Sequence, residues 1–447
     1  MNISLIQLLL FPATLVALCL PASGEVIRIS TQPERTAVLR KAGSEVVIQI
    51  DLNSRPAVSS GGLPLNLALV LDRSSSMRGA KMEQAKQAVH AVLDRLTPND
   101  RVSLVAYDSR VETIAKPALA TTAHVAQLRK RVDAITPSGT TALHGGVQEG
   151  AGHVRAHFGS KTVNRIILMS DGQANVGPRT PKELARLGSD LGEEGIRVTT
   201  IGLGNDYNED LMVGLAEASL ANYYYVADVE KLPDIFREEL GRIRDIVARD
   251  IRIRIHTPRG VTPVEIIGHP EIEIRNNEAI IPMAEIYAAQ NRYFLVRCRI
   301  DTPARMAGSQ DVLTVNASYT DASSLKPKTK QVSQSIKWVS TEKESEATLA
   351  PGIVEARLLA YNVAIKDQAL ALNDAGDYAA ASELLARQSQ LNALESERIN
   401  SPKLREESDK LRSSSATVSA GEMQMNSASR KSYQYDNYKD KKQITTP

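Results

Sequence analysis

The sequence predicts an α/β domain with a doubly wound, mostly parallel sheet that is inserted in an all-β sandwich and followed by a helical hairpin. Three observations lead to this prediction. Residues 63–246 alternate apolar runs of strand length with segments of helical period. Residues 247–340 change to a period of two, and residues 344–397 return to a helical period. The first stretch mixes strands and helices, the second contains strands alone and the third contains helices alone. The three stretches therefore predict three structural regions.

Residues 1–24 predict a secretory signal peptide. The segment has no charged residue, Leu5–Leu20 is mostly apolar, and Ala22-Ser23-Gly24 supplies small residues for cleavage before Glu25. An uncleaved anchor is the alternative, which the shortness of the apolar run disfavours. Export would make the protein secreted, periplasmic or envelope-associated. It would also leave Cys298 as the one remaining cysteine, which we predict to be a small buried core residue.

Residues 25–62 contain two strand-like runs, Val26–Ile29 and Val46–Leu52. We predict that these N-terminal strands join the later strands of residues 247–340. The sandwich would then be discontinuous in sequence, with the α/β domain inserted between its two parts.

The α/β domain, residues 63–246, is predicted from continuous apolar runs of the kind that parallel sheets bury on both faces. We assign its strands to Leu65–Leu71, Val102–Tyr107, Val111–Ala115, Arg165–Met169, Arg197–Leu203 and Asn222–Val226. We assign its helices to Met82–Leu96, Val125–Ile135, Leu143–Phe158, Pro181–Glu194, Glu209–Ser219 and Leu232–Ile246. Helices between successive parallel strands cover both faces of the sheet, and ligands of such sheets bind outside the carboxyl ends of the strands.

Beyond Arg249 apolar and polar residues alternate, as they do in the half-buried strands of a sandwich. The predicted strands of residues 247–340 include 251–256, Glu271–Ile274, Arg292–Ile300, 312–319 and Val332–Trp338. The helical hairpin, residues 344–397, is broken at 373–377 by turn-forming residues. One hairpin has too little core to stand alone, so it should pack on the sandwich or meet a partner.

The tail, residues 401–447, is rich in Ser, Lys, Asn and Gln and poor in apolar residues. This composition predicts a disordered segment, since it offers little apolar surface to bury. The alternative is a recognition segment that uses Tyr433, Tyr435 and Tyr438.

Composition and motifs exclude several classes of function. Lys and Arg number 54 against 52 Asp and Glu, a net charge of +2, which gives no electrostatic reason to expect nucleic acid as a partner. The sequence has no Cys/His cluster for zinc and no Gly-rich phosphate loop. After residue 24 no run is long and apolar enough to span a bilayer.

Three segments at predicted strand or helix ends carry candidate metal ligands. Asp72, Ser74 and Ser76 alternate directly after the first buried strand, Thr141 lies at the start of a helix, and Asp171 follows another buried strand. Carboxylates and hydroxyls are hard oxygen ligands, which suit Mg²⁺ or Ca²⁺ better than zinc. Each segment alone has an ordinary alternative, either a helix N-cap or a turn. Their order at the strand ends of one α/β unit favours a common site.

Over about residues 63–246 the sequence resembles the von Willebrand factor A family, a Rossmann-like fold. The metal-ion-dependent adhesion site of this family has the pattern Asp-x-Ser-x-Ser, then Thr, then Asp. The resemblance extends to 201–211 and 222–226. It implies five ligands, namely Asp72, Ser74, Ser76, Thr141 and Asp171. Thr141 is preferred to its neighbour Thr140 because Gly146 and Val147 then fall at the usual offsets of the family.

The resemblance also implies a function. The expected ion is Mg²⁺, with Mn²⁺ or Ca²⁺ as alternatives, and a Glu or Asp of a partner protein is expected to complete its coordination. The protein would then be a non-enzymatic adhesion module, similar to exported bacterial proteins that are likened to calcium-activated chloride channel proteins. An envelope assembly factor is the alternative, and a metal-dependent hydrolase is a weaker one. Arg73 and His144 lie close to the ligands in sequence and either line the rim or are solvated.

Overall fold

The computed structural model describes residues 25–56, 62–301, 308–424 and 427–445. The predicted signal peptide, residues 1–24, lies outside the described residues. The described chain begins with three strands, β1 (Ile27–Pro33), β2 (Ala37–Leu39) and β3 (Ser44–Ser54).

The α/β domain follows. Its strands are β4 (Leu65–Asp72), β5 (Arg101–Tyr107), β6 (Val111–Leu119), β7 (Val163–Ser170), β8 (Arg197–Leu203) and β9 (Tyr223–Val226). Its helices are α1 (Ala80–Leu93), α2 (Thr122–Asp133), α3 (Leu143–Arg155), α4 (Pro181–Glu193), α5 (Glu209–Ala218) and α6 (Leu232–Arg244). The strands lie in the order β6-β5-β4-β7-β8-β9, and only β6 runs antiparallel to its neighbour. The predicted doubly wound, mostly parallel sheet is therefore confirmed.

The two central strands of this sheet explain why the α/β domain folds as it does. Every residue of β4 and β7 is buried, so both faces of the sheet are covered. One face packs against α1, α2 and α6, and the other packs against α3, α4 and α5. The chain leaves β4 on one side toward β5 and later returns on the other side at β7. The carboxyl end of β4 is thus the topological switch point, where open α/β sheets bind ligands.

Two sheets packed face to face form the sandwich. Its later strands are β10 (Ile246–His256), β11 (Val261–Ile267), β12 (Ile274–Arg275), β13 (Glu278–Tyr287), β14 (Asn291–Ile300), β15 (Ser309–Asp321) and β16 (Pro327–Val339). One sheet has the order β1-β3-β14-β11, and the other has the order β12-β13-β10-β15-β16-β2. Alternate side chains of both sheets share one core, which includes Ile48, Ile50, Ile251, Ile253 and Cys298. The N-terminal strands therefore join the later ones, as the sequence predicts.

The sequence places one strand of the sandwich wrongly. Glu271–Ile274 is not a strand, since β12 covers only Ile274–Arg275. The sequence also misses the strands before and after this segment, β11 and β13. Strand β11 contains a proline and shows a register shift between Pro263 and Glu265, which interrupts its alternating pattern.

The C-terminal region is helical. It contains α7 (Glu342–Glu346), α8 (Pro351–Asp374), α9 (Tyr378–Ile399), α10 (Pro402–Ser419), α11 (Ala428–Lys441) and a short strand, β17 (Ile444–Thr445), that pairs with β14. Helix α8 packs Ile353 and Ala360 against Ile267 and Leu295 on the outer face of the β14 sheet. The hairpin of α8 and α9 thus lies on the sandwich. No helix among the described residues has the length and apolarity needed to cross a membrane.

The prediction of a disordered tail over residues 401–447 is wrong for the part that the structure describes, residues 401–424 and 427–445. Leu404, Leu411 and Val418 recur every seven residues on α10, and all three are buried among the neighbouring helices. Helix α11 carries few apolar residues, but it is fixed to the α/β domain by buried ion pairs and by Tyr438. The Tyr438 hydroxyl donates to the Ala221 carbonyl at 3.1 Å and accepts from the Tyr223 amide at 3.0 Å. Tyr438, one of the three tyrosines of the alternative recognition segment, therefore forms its hydrogen bonds within its own chain.

Candidate metal centre

The five predicted ligands meet at the carboxyl edge of the sheet, and we call them the candidate metal centre. Asp72 ends β4, and Asp171 follows the neighbouring strand β7. The loop after Asp72 brings Ser74 and Ser76 to the same edge, while Thr141 lies just before α3. Four of the five residues are buried, and Ser76 is exposed. The group is therefore a polar recess that opens to solvent on the side of Ser76.

A chain of hydrogen bonds joins the acids and the serines. The Ser74 and Ser76 hydroxyls lie 2.9 Å apart, and the Ser76 hydroxyl donates to Asp171 Oδ1 at 2.8 Å. The Ser74 amide donates to Asp72 Oδ1 at 2.7 Å, and the Ser170 hydroxyl donates to Asp72 Oδ2 at 2.6 Å. Backbone amides and hydroxyls thus fix the Asp72 carboxylate in one orientation.

Gly172 shows that three hydroxyls converge on one point. A methyl group placed on Gly172 would lie 3.1 Å from Thr141 Oγ1, 3.4 Å from Ser76 Oγ and 3.7 Å from Ser74 Oγ. The glycine therefore leaves open the space between these oxygens. Thr140 is not part of this arrangement, since it is exposed and its hydroxyl lies 2.9 Å from Ser109 Oγ.

Thr141 is held in place by a reciprocal pair of hydrogen bonds with Asn175. Its amide donates to Asn175 Oδ1 at 2.8 Å, and the Asn175 amide donates to the Thr141 carbonyl at 3.1 Å. The loops are joined as well, because the Ser75 amide donates to the Gly139 carbonyl at 3.1 Å. The ligand loops consequently support one another, as preorganised binding sites require.

The electrostatics of the candidate metal centre favour a cation. Burial raises the pKa of Asp72 to about 6, hydrogen bonds from Ser170 and Ser74 lower it in part, and the charge of Asp171 raises it further. Asp171 has a cation beside it, since Lys81 Nζ lies 2.5 Å from Asp171 Oδ2. Two buried carboxylates next to each other repel, so a positive charge between them is stabilising.

Arg73 and His144, the two candidates for the rim of the site, do not bind the predicted ligands. Arg73 pairs with Asp108 at 3.0 Å and with Glu112 at 2.7 Å. His144 is half-buried, and burial lowers the pKa of its imidazole, with the charge of Glu183 acting in the opposite direction. Neither is hydrogen-bonded to a residue of the candidate metal centre.

Sequence reasoning missed three residues that support the site, namely Lys81, Ser170 and Asn175. Ser170 lies beside Asp171 in sequence, so its position at the end of a buried strand was a usable signal. Lys81 follows the Ser76 segment and Asn175 follows Asp171, but only the folded loops bring Lys81 to Asp171 and Asn175 to Thr141.

The donor set suits a hard divalent ion. It consists of oxygen atoms from two carboxylates and three hydroxyls, which is the chemistry that Mg²⁺ and Ca²⁺ prefer. Within the described ranges no group of three His, Cys, Asp or Glu residues forms a metal cluster.

Comparison with known proteins agrees with this architecture. The family model for the von Willebrand factor type A domain matches residues 66–238. The α/β domain is a von Willebrand factor type A domain. Domains of this family commonly mediate metal-dependent protein–protein interactions, and many bind a divalent metal at their adhesion site.

Two bacterial relatives match more than the type A domain. The Escherichia coli protein YfbK is 26% identical over 234 residues, which cover 51% of this chain and 40% of YfbK. The Synechocystis protein sll0103 is 26% identical over 272 residues, which cover 59% of this chain and 63% of that protein. The chain thus spans less than two thirds of the length of these relatives.

Solved structures show that the fold extends beyond the type A domain. The von Willebrand factor type A protein of Catenulispora acidiphila superposes with a TM-score of 0.67 at 18% identity, covering 85% of this chain and 89% of that one. The ArnB paralog VWA2 of Sulfolobus acidocaldarius gives a TM-score of 0.58 at 17% identity, covering 90% and 98%. At these identities the likeness concerns the fold alone.

Proposed function

We propose that the protein binds a partner protein through a Mg²⁺ ion held by Asp72, Ser74, Ser76, Thr141 and Asp171. Mn²⁺ or Ca²⁺ are alternative ions for the same oxygen ligands. When bound, the ion supplies a Lewis-acidic position that a Glu or Asp side chain of the partner can occupy. The observation that supports the proposal best is the convergence of three hydroxyls over Gly172, beside two buried carboxylates.

The charges of the site fit this role. Asp72 and Asp171 together carry two negative charges, and the three hydroxyls are neutral. Lys81 adds a positive charge next to Asp171. A divalent ion at this point would leave a positive site, which attracts an anionic side chain.

The proposed function is binding rather than catalysis. An enzymatic serine needs a base within hydrogen-bonding distance. The base nearest to Ser76 is the Asp171 carboxylate, which is weakly basic and already paired with the Lys81 ammonium, and the Ser74 hydroxyl lies against Ser76. Since both hydroxyls are committed to the ligand set, neither is an activated nucleophile.

We further propose that this binding takes place outside the cytoplasm, in a secreted, periplasmic or envelope-associated protein. The proposal depends on the charge-free apolar segment at residues 1–24. Adhesion to a surface and assembly of an envelope complex would both use the same metal centre, so the identity of the captured partner distinguishes them.

Affinity capture from the native envelope tests the proposal. The bait is the full chain, either wild type or carrying Asp72→Asn or Gly172→Ala. Each bait is used with Mg²⁺ and with EDTA. We expect one set of partners to bind the wild type in Mg²⁺ and to be lost in all other samples. Gly172→Ala fills the space between the hydroxyls without removing any ligand.

A matched glycine variant controls this experiment. Gly152 is exposed on α3, and a methyl group there would meet no atom within 4 Å. Gly152→Ala should therefore capture the same partners as the wild type. If the partner set is unchanged in Asp72→Asn or in EDTA, the proposed function is wrong even though the fold stands.

Lys81→Met is expected to raise the affinity for Mg²⁺ about tenfold, equivalent to about 1.4 kcal/mol. The reason is that the Lys81 ammonium occupies Asp171 Oδ2, the carboxylate that the ion would share. Isothermal titration calorimetry with MgCl₂ measures the change. Lys86→Met is the control, because Lys86 lies on the same helix and contacts the Asp133 carbonyl at 3.1 Å. Unchanged or weaker Mg²⁺ binding by Lys81→Met would show that the ammonium does not compete.

A further inference from the structure

A cavity of about 1570 Å³ lies where the α/β domain, the sandwich and the C-terminal helices meet, and we call it the junction cavity. Its walls come from all three regions, for example Tyr223 of β9, Arg292 of β14 and Tyr438 of α11. It contains none of the five residues of the candidate metal centre. Cavities between domains are frequent ligand sites, and this one exceeds the volume of a small molecule.

The carboxylates on the walls of the junction cavity already have partners. Glu217 and Glu271 pair with Lys441 at 3.6 and 3.7 Å. Glu285 pairs with the buried Arg165 at 2.5 Å. The acids of the lining are therefore largely neutralised by cations of the protein itself.

Two half-buried cations of the lining, Arg292 and Lys442, lack such partners. Among the residues that the structure describes, no carboxylate lies within ion-pair distance of either. Arg292 Nε donates to the Lys442 carbonyl at 3.1 Å, and Lys442 Nζ donates to the Ala221 carbonyl at 3.3 Å. Each cation also lies over an aromatic ring, Arg292 over Phe294 and Lys442 over Tyr438. Their partners among the described residues are thus neutral groups, and both side chains are half-buried at the cavity wall.

The two cations destabilise each other's charge. Burial lowers the pKa of Lys442 to about 8, and the positive charge of Arg292 lowers it further. Burial also lowers the pKa of Arg292 to about 10. Partly buried cations without an ion-pair partner cost free energy, so a negative charge bound near both of them would be stabilising.

Apolar side chains lie on other parts of the same cavity. Ile280 is 41% exposed and Leu220 is 37% exposed. Both line the junction cavity. The cavity therefore offers a positive region and an apolar wall to one ligand.

We propose that Arg292 and Lys442 bind the anionic group, a phosphate or a carboxylate, of a small-molecule ligand that enters the junction cavity. The apolar part of that ligand would lie against Ile280 and Leu220. A guanidinium and an ammonium that share one anion are each neutralised, which relieves the repulsion between them. The site is separate from the metal centre and requires no metal.

Calorimetric titration of the full chain with inorganic phosphate tests this proposal, and a parallel titration uses sodium acetate. Sodium chloride keeps the ionic strength constant in every sample. We expect the wild type to bind at least one of the two anions. Binding of phosphate alone identifies a phosphate site, and binding of both identifies a general oxyanion site. Binding of neither would overturn the proposal.

Substitutions locate the bound anion. Arg292→Gln and Lys442→Gln are each expected to weaken binding at least tenfold. Arg275→Gln should bind as the wild type does, because Arg275 lines the same cavity but already pairs with Glu273. Equal weakening by all three variants would mean a diffuse effect of charge and would overturn the proposal.

Two further measurements keep the result independent of folding. Without added anion, Arg292→Gln and Lys442→Gln should each lower the melting temperature by no more than Arg275→Gln does. Acetylation of Lys442 at pH 8, followed by peptide mass spectrometry, should slow when the tested anion is present. An unprotected Lys442 in the presence of a bound anion would show that the anion lies elsewhere.

Discussion

Replacing Glu209 by alanine is expected to lower the free energy of detaching α11 from the α/β domain by about 3–5 kcal/mol. The Glu209 carboxylate is 1% exposed, and both of its oxygens bind buried cations of α11. Arg430 contacts one oxygen, and Lys431 Nζ lies 2.5 Å from the other. Removing the acid leaves two buried cations with too little negative charge, which costs far more than the loss of an exposed ion pair.

Hydrogen exchange of the α11 amides measures this free energy directly. Exchange in Glu209→Ala should be faster than in the wild type by a factor of about 100 or more. Glu217→Ala is the control, because Glu217 is partly exposed and its partner Lys441 lies 3.6 Å away. That variant should lose less than about 1 kcal/mol. Equal exchange rates in the two variants would show that the Glu209 ion pairs do not fasten α11.

The sequence was sufficient to predict the α/β domain because its signals are local. A strand that is buried on both faces must be apolar throughout, and Leu65–Leu71 displays this without any long-range information. The candidate ligands were predictable for the same reason. Asp72 ends one central strand and Asp171 directly follows the other, so the topology alone brings them together.

The sequence could not predict the order of the tail, because the contacts that fix it are distant in sequence. Composition counts Arg430 and Lys431 as solvated charges, whereas both are buried against a residue more than 200 positions earlier. The serines of α10 also suggest a solvated, disordered segment, although some of them are buried. Ser408 is buried, and its hydroxyl lies 3.0 Å from Ser389 Oγ on α9. A polar composition therefore did not mean an unfolded chain.

Asp72→Asn is expected to stabilise the metal-free protein at pH 7 and to abolish its stabilisation by Mg²⁺. Burial raises the pKa of Asp72 from 3.8 to about 6. A carboxyl whose pKa is higher in the folded state contributes stability at low pH, and this contribution is lost as the pH rises through the folded pKa. At pH 7 the ionised Asp72 therefore destabilises the metal-free protein, by up to about 3 kcal/mol.

Melting curves at pH 4 and pH 7, with EDTA or with Mg²⁺, separate the two effects. In EDTA, Asp72→Asn should melt above the wild type at pH 7 and close to it at pH 4, where the wild-type carboxyl is protonated. With Mg²⁺ at pH 7 the wild type should gain stability, because an ion that binds only the folded state stabilises it, while the variant should not. A variant that melts below the wild type in EDTA at pH 7 would mean that the Asp72 charge is already compensated within the protein. The reversal of order between EDTA and Mg²⁺ is thus the signature of a carboxylate that is buried at a cost in order to hold a cation.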